Sequence, residues 1–135
     1  MPLFNWKPEY SVNIKIIDEQ HIKLIDTINI FHDAMKSGKG NDVLENVFNN
    51  LSEYVNIHFS TEEKLMKDYD FPYYKEHGLE HEKCRKKIAE FKNQYEKGEI
   101  ALSVELAIFL FDWVHEHLLN MDKKYSRFLN DKGVY

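Results

Sequence analysis

Two pairs of metal-ligating side chains are spaced four residues apart in the sequence. The first pair is His58 and Glu62, and the second is His77 and His81. Because four residues of an α-helix turn through about 400°, both members of each pair project from one helix face, one turn apart. Such a pair can bind one metal ion or two adjacent ions. One pair alone is more typical of a polar helix surface, but the two pairs together predict a metal site.

Three further side chains of the same chemical types lie beside apolar helix faces. His21 opens the first predicted helix, and His117 and Asp122 end the fourth. All four predicted helices therefore offer a ligand to one level of a bundle, and bundle interiors are where such metal sites are built. The other two histidines are expected not to be ligands. His115 points about 200° away from His117, and His32 lies about 16 Å further along its helix than His21.

The spacing of five between His117 and Asp122 conflicts with a regular α-helix. Residues five apart diverge by about 140° on such a helix, so the two side chains would face different directions. If both bind metal, the helix must widen into a π-turn or break between them. The spacing therefore predicts an irregular helix over residues 117–122.

Five imidazoles and two carboxylates are too many ligands for one metal ion. Two octahedral ions offer about twelve positions, and two bridging carboxylates, five imidazoles and a bridging solvent oxygen would fill all but one. Paired sites with nitrogen and oxygen ligands suit iron or manganese. No glutamate precedes a histidine by three residues, which is the spacing of carboxylate-rich di-iron proteins. This nitrogen-rich set favours reversible two-electron transfer to bound O₂ over oxidation that breaks bonds.

Start and stop signals predict where the first helix lies. Residues 1–17 are expected to form an extended arm, because Pro2 and Pro8 oppose an early helix. Asp18 is the predicted N-cap of the first helix. Glycine can end a helix in the left-handed conformation, and Gly38 and Gly40 are the predicted end of this helix.

Similar signals predict the bounds of the later helices. Asp42 and Glu45 have the spacing of a capping box for the second helix. Pro72 is expected in the first turn of the third helix, where its missing N–H costs little. Gly98 is the predicted terminator of that helix, and Ser103 is the predicted cap of the fourth.

Four such helices joined by short connections predict an all-α fold, an up-down-up-down four-helix bundle over residues 18–130, within a single domain over residues 1–135 that includes the arm. The fourth helix, which ends at Met121, is apolar nearly all round and is expected to be the most buried. A short fifth helix to Leu129 is expected to follow it.

The composition agrees with one globular domain. The chain has 135 residues, 43% hydrophobic and 30% charged, and its five Gly and three Pro disfavour a turn-rich all-β fold. The net charge of −5 opposes sequence-independent nucleic-acid binding. The single cysteine, Cys84, excludes an internal disulfide and Cys-rich metal sites. No signal peptide is visible, and the longest apolar run, Leu106 to Phe111, is too short to span a membrane, so a cytoplasmic protein is expected.

The candidate ligands also lie in longer motifs. These are Phe4-Asn5-Trp6, Ile17-Asp18-Glu19-Gln20-His21, His58-Phe59-x-x-Glu62-Glu63, His77-x-x-x-His81, Trp113-x-x-x-His117 and Asp122-Lys123-Lys124-Tyr125. In these motifs the sequence resembles the hemerythrin family, in its single-domain bacterial branch. The resemblance covers nearly the whole chain and every candidate ligand. It implies a helical bundle that holds two non-haem iron ions and binds O₂ reversibly.

The resemblance also implies a role for each residue. One iron would be bound by His77, His81 and His117, the other by His21 and His58, and both would be bridged by Glu62, Asp122 and a solvent-derived oxo or hydroxo group. O₂ would bind end-on, as hydroperoxide, at the open position of the second iron. The O₂ pocket would be walled by Phe59, Trp113 and Leu118, with Ile22 and Ile25 as weaker candidates. No catalytic residue is implied.

The main hypothesis is thus an oxygen-binding protein, not an enzyme, that carries, stores, senses or locally delivers O₂. The alternatives are a di-iron redox enzyme acting on peroxide or nitric oxide, an iron-storage or detoxification protein, and a structural bundle without metal. The expected partners are O₂ and an O₂-consuming enzyme as its recipient, without nucleic acid or a membrane span. The sequence leaves the oligomeric state open and is compatible with a monomer.

Overall fold

Helices make up most of residues 3–98 and 102–135, which are the residues that the computed structural model describes. The α-helices are α1 Lys15–Lys36, α2 Leu44–Glu53, α3 Phe59–Asp68, α4 Tyr74–Glu96, α5 Leu102–Trp113 and α6 Lys123–Asp131. Two π-helical segments, Tyr54–His58 and Val114–Met121, follow α2 and α5, and two 3-10 turns span Pro8–Tyr10 and Gly40–Val43.

Four long rods form the bundle. The first rod is α1 and the third is α4. The second rod runs from α2 through its π segment to the end of α3, and the fourth runs from α5 to the end of its π segment. α1 packs against α2 and α5, while α4 packs against α2, α3 and α5. The connections between rods are short, so consecutive rods run in opposite directions. The predicted all-α four-helix bundle is confirmed.

Two hydrophobic clusters fill the interior. The larger includes Leu24, Phe59 and Leu118, and the smaller includes Ile17, Met66 and Tyr125. Along the chain, His21 lies between Ile17 and Leu24, Glu62 between Phe59 and Met66, and Asp122 between Leu118 and Tyr125. The candidate ligands therefore occupy a polar layer with apolar packing on both sides.

Asp18 does not cap the first helix, and this prediction is wrong. α1 begins at Lys15, and its N-cap is Ile14, four residues earlier than the predicted N-cap. Asp18 lies in the first turn, where its carboxylate accepts hydrogen bonds from the Val12 N–H at 2.9 Å and from the Ser11 hydroxyl. The carboxylate thus holds the arm against the helix, which is why it does not serve as the cap.

The arm is fixed to the bundle by a reciprocal pair of hydrogen bonds. The Phe4 N–H donates to Asn29 Oδ1 at 2.9 Å, and Asn29 Nδ2 donates to the Phe4 carbonyl at 2.7 Å. The rings of Trp6 and Tyr10 meet edge to face at 5.8 Å and pack against the larger cluster. Pro2, which was predicted to oppose an early helix, lies outside the described residues.

Three other predicted helix starts are also wrong. Asp42 lies in a 3-10 turn, and α2 has no side-chain cap at its N-cap, Val43. Pro72 precedes α4 instead of lying in its first turn. Ser103 lies inside α5, and its hydroxyl donates to Asn41 Oδ1 at 2.8 Å, so it bonds to the loop before α2. By contrast, α4 ends at Glu96 and Gly98 follows with a φ of +80°, as predicted.

The fourth rod is less buried than its apolar sequence predicts. Val104, Ile108 and Phe111 are 60%, 57% and 41% exposed, because they lie on the face of α5 that points away from the core. Leu106 and Leu110 lie on the opposite face and are buried. None of the helices in the described ranges is both long and apolar enough to cross a membrane.

Candidate metal centre

All seven candidate ligands are buried together in the polar layer of the bundle. They are His21, His58, Glu62, His77, His81, His117 and Asp122, none more than 3% exposed. Their ligand atoms form two groups, in each of which the atoms lie within 4.8 Å of one another. One group holds His77, His81 and His117, and the other holds His21 and His58. Glu62 and Asp122 belong to both groups, as bridging ligands between two ions would.

Asp122 faces both groups with different oxygens. Its Oδ1 lies 2.8 Å from His77 Nε2 and 3.0 Å from His117 Nε2. Its Oδ2 lies 3.1 Å from His21 Nε2. One carboxylate thus presents one oxygen to each side of the centre.

Glu62 connects the second and third rods. Its Oε1 lies 2.7 Å from His58 Nε2 and 3.4 Å from His81 Nε2. Its Oε2 accepts a hydrogen bond from the hydroxyl of Tyr125, which is fully buried. Sequence analysis did not assign a role to this tyrosine, although it ends the last of the motifs.

The inward-facing atoms approach one another without forming hydrogen bonds. In this layer the buried atoms without a hydrogen-bond partner are the Nε2 atoms of His21, His58, His77, His81 and His117, together with Glu62 Oε1 and both oxygens of Asp122. A buried polar atom without a partner carries a large desolvation penalty. Eight such atoms converging in one layer fit a pair of cations that would accept their lone pairs. The donor set of imidazoles and carboxylates fits iron.

The helix between His117 and Asp122 is irregular, as predicted. Val114–Met121 is π-helical, and the Asp122 N–H donates to the His117 carbonyl at 2.9 Å. This wider turn directs both side chains inward. A second π segment, Tyr54–His58, ends at another candidate ligand and was not predicted, because its five residues contain no pair with conflicting spacing.

Two candidate ligands have side-chain partners that sequence analysis did not identify. His58 Nδ1 lies 2.6 Å from Gln20 Oε1, and His81 Nδ1 lies 3.2 Å from Glu63 Oε2. Arg85 also donates to Glu63, at 2.6 Å. Hydrogen bonds of this kind fix the orientation and tautomer of a ligating imidazole. The sequence signal that could have identified these partners is their position beside candidate ligands, since Gln20 directly precedes His21 and Glu63 directly follows Glu62.

The layer carries two carboxylates that stay charged. Burial would raise the pKa values of Glu62 and Asp122, but the surrounding imidazoles hold both well below their usual range. Burial lowers the pKa of His58. Burial would also lower the pKa of His81, but the nearby carboxylates of Glu62 and Glu63 outweigh it and raise the pKa to about 9. Two buried anions surrounded by imidazoles are electrostatically suited to cations.

Aromatic rings surround the imidazoles. Phe59 stacks on His81 and Trp113 stacks on His117, each with centroids 3.9 Å apart. Tyr54, which sequence analysis missed, stacks on His58 at 4.7 Å and accepts a hydrogen bond from Trp113 Nε1 at 3.2 Å. Of the other predicted pocket residues, Leu118 and Ile25 are buried and Ile22 is half-buried. A pocket of about 430 Å³ between α1 and the second rod reaches Tyr54 and His58 from the surface.

The other two histidines lie outside the centre, as predicted. His115 is exposed, and its ring packs against Phe4 at 5.4 Å and Phe111 at 4.5 Å. His32 belongs to neither ligand group.

A helical bundle whose interior holds five imidazoles and two shared carboxylates has the donor set of a metal-binding bundle. The family model of the hemerythrin HHE cation binding domain matches residues 12–129. This chain belongs to the hemerythrin family.

Individual proteins agree with this assignment. The bacteriohemerythrin of Stenotrophomonas maltophilia (strain R551-3) is 32% identical over 126 residues, which cover 93% of this chain and 81% of the relative. The bacteriohemerythrin of Methylococcus capsulatus is 28% identical over 127 residues, covering 93% and 96%. A solved hemerythrin structure, of a leucine-to-alanine mutant, superimposes with a TM-score of 0.85 at 28% identity, covering 96% of this chain and 98% of that one.

Proposed function

We propose that this protein binds O₂ reversibly at two iron ions held by the seven buried ligands, and acts as a carrier, store or local supplier or sensor of O₂. One observation carries the proposal. Two groups of inward-facing ligand atoms share Glu62 and Asp122, and eight of these atoms have no hydrogen-bond partner. Membership of the hemerythrin family supports iron as the metal and O₂ as the ligand.

The two ligand groups support an unequal pair of ions. His77, His81 and His117 would hold one iron, and His21 and His58 would hold the other, with Glu62 and Asp122 between them. The second iron has one imidazole fewer and would keep the open position. When bound, the ions supply reversible two-electron chemistry with O₂ at that position.

The surrounding side chains would keep the open position dry. Phe59, Trp113 and Leu118 are buried in the larger cluster. Exclusion of water disfavours the escape of charged, reduced oxygen species from the site. Their escape would leave the centre in an oxidised form. Tyr54 would complete this wall, because its ring covers His58 and its hydroxyl is tied to Trp113.

A non-enzymatic role, a cytoplasmic location and an O₂-consuming recipient enzyme remain predictions from the sequence. Reversibility of O₂ binding also separates this function from the alternative of redox turnover with peroxide or nitric oxide.

The test starts from protein loaded anaerobically with ferrous iron, with two irons per chain confirmed by metal analysis. O₂ is added and then purged with inert gas while the visible spectrum is followed. We expect a coloured species that forms with O₂ and disappears on purging. Colour that persists, or continued consumption of oxidant with each added reducing equivalent, would contradict reversible binding and favour a redox enzyme.

A matched pair of variants locates the site. His117→Ala removes a candidate ligand, and His115→Ala removes an exposed histidine two residues away on the same rod. We expect the first variant to lose iron and colour and the second to keep both.

A further inference from the structure

The imidazoles of His81 and His58 differ in the charge of the side chain that faces their Nδ1 atom. The partner of His81 is the carboxylate of Glu63 at 3.2 Å, whereas the partner of His58 is the neutral amide of Gln20 at 2.6 Å. His81 and His58 belong to different ligand groups. The two halves of the centre therefore have unequal electrostatic surroundings.

Arg85 holds the partner of His81 in place. Its Nη2 donates to Glu63 Oε2 at 2.6 Å, and its guanidinium lies 5.2 Å from the centre of the Phe59 ring. That ring lies parallel to His81, with an angle of 2° between the planes. The side chains of Arg85 and Glu63 are 29% and 24% exposed, so solvent screens their ion pair only in part. Arg85 thus keeps one carboxylate oxygen against His81.

The hydrogen bonds around Thr61 set the orientation of the Gln20 amide. The Thr61 hydroxyl donates to the Ile57 carbonyl at 2.8 Å and is therefore free to accept from Gln20 Nε2, 3.3 Å away. With Nε2 directed at Thr61, the amide oxygen faces His58 and accepts its Nδ1–H. His58 then keeps the lone pair of Nε2 for a metal ion.

We propose that Glu63, positioned by Arg85, lowers the reduction potential of the ion bound by His81 relative to that of the ion bound by His58, where the partner is neutral. This rests on the proposed function, because it requires a bound iron pair. A carboxylate that accepts the Nδ1–H makes the imidazole a stronger electron donor at Nε2. Stronger donation stabilises ferric over ferrous iron. The more easily oxidised ion thus lies away from the open position.

The test is a reductive titration of the diferric protein with dithionite and redox mediators, in which dithionite supplies two electrons per centre. Glu63→Gln should raise the midpoint potential, and Gln20→Glu should lower it. We expect each change to shift the equilibrium between the diferric and diferrous forms about 10- to 100-fold, or about 30 to 60 mV for a two-electron couple.

Two control variants separate charge from fold. Lys83→Met removes an exposed charge of α4 that pairs with Glu80, so it should leave the potential unchanged. Arg85→Lys keeps the positive charge and should retain most of the wild-type potential. Urea unfolding of each metal-free variant reports separately on the stability of the fold.

The outcomes are distinguishable. If Glu63 and Gln20 had only a structural role, Glu63→Gln and Gln20→Glu would both be less stable, and their midpoint potentials would not shift in opposite directions. Iron-replete variants with absent or equal shifts would overturn this inference and leave the proposed function standing. Wild-type protein that takes up fewer than two irons would overturn the proposed function and this inference with it.

Discussion

The main-chain N–H of Asp122 donates to the main-chain carbonyl of His117, five residues earlier, at 2.9 Å. In a regular α-helix these residues would diverge by about 140°. In the π segment, Asp122 Oδ1 instead lies 3.0 Å from His117 Nε2. The irregular hydrogen bond is therefore what brings the two candidate ligands together.

Asn120 stabilises this π segment, because its Nδ2 donates to the His115 carbonyl at 2.7 Å. Compared with the control Asn49→Ala, Asn120→Ala should have a free energy of unfolding lower by about 1 kcal/mol, the usual contribution of one hydrogen bond, and it should weaken metal binding. Urea unfolding and metal titration measure the two effects. Asn49→Ala, at an exposed position of α2, gives the same gain in helix propensity and is the control. Equal stability of the two variants would show that the bond contributes nothing.

Ligand spacing made one π segment predictable and not the other. His117 and Asp122 are two ligand types at a spacing that an α-helix cannot serve, so the conflict is visible in the sequence. The segment Tyr54–His58 contains one candidate ligand, and its wide turn depends on how the second rod packs.

Side-chain partners were harder to predict than ligands for a similar reason. Glu63 and Arg85 are far apart in sequence and meet only because α3 packs against α4. Asp18 has the residue type of an N-cap, but its carboxylate bonds to the arm. The residues that share one helix face could be derived from their spacing in the sequence. Contacts between residues of different segments depend on how the helices pack and could not.

Tyr125 is expected to stabilise the charged carboxylate of Glu62. Tyr125→Phe removes the hydroxyl that donates to Glu62 Oε2, and hydrogen bonds to charged groups contribute about 2 kcal/mol. The metal-free variant should lose about that much unfolding free energy in urea. The loss should be smaller with metal bound, because the metal neutralises part of the carboxylate charge. Tyr73→Phe, at a side chain 59% exposed, should have no measurable effect. Equal stabilities of the two metal-free variants would contradict this role.

Leu118 is expected to keep water from the open position. Leu118→Ala should speed autoxidation of the O₂-loaded protein, because the cavity would admit water beside the ligands. The rate is measured by the loss of the O₂-dependent colour. Leu129→Ala removes the same atoms from the smaller cluster and should destabilise the fold by a similar few kcal/mol without changing this rate. An unchanged rate in Leu118→Ala would remove this residue from the wall.

Cys84 should be nearly inert in the folded protein. The residue is 2% exposed, and burial raises the pKa of its thiol, so the reactive thiolate is scarce at neutral pH. Reaction with a disulfide reagent at pH 8 should be slow for the native protein and fast in urea. Rapid reaction of the native protein would show that the larger cluster opens readily near α4.

Removal of the metal should make stability depend on alkaline pH. In the metal-free protein the pKa of His81 is raised to about 9, against about 6.5 in the unfolded chain. Between these values the folded state holds the extra proton, so raising the pH favours unfolding. The contribution of His81 is complete below pH 6.5, and roughly 3 kcal/mol is lost as the pH rises through 9.

Glu62 and Asp122 titrate in acid, so their effect on stability does not overlap with the alkaline effect of His81. The pKa values of Glu62 and Asp122 are lowered in the folded state, so their contribution is present at neutral pH and is lost only in acid. Urea unfolding of the metal-free protein at pH 7.5, 8.2 and 9, above the range in which His58 titrates, should therefore show a steady fall in stability. The iron-loaded protein should not show it, because a ligating imidazole is already neutral at Nε2. A metal-free protein whose stability is constant or rises over this range would show that His81 does not hold the proton.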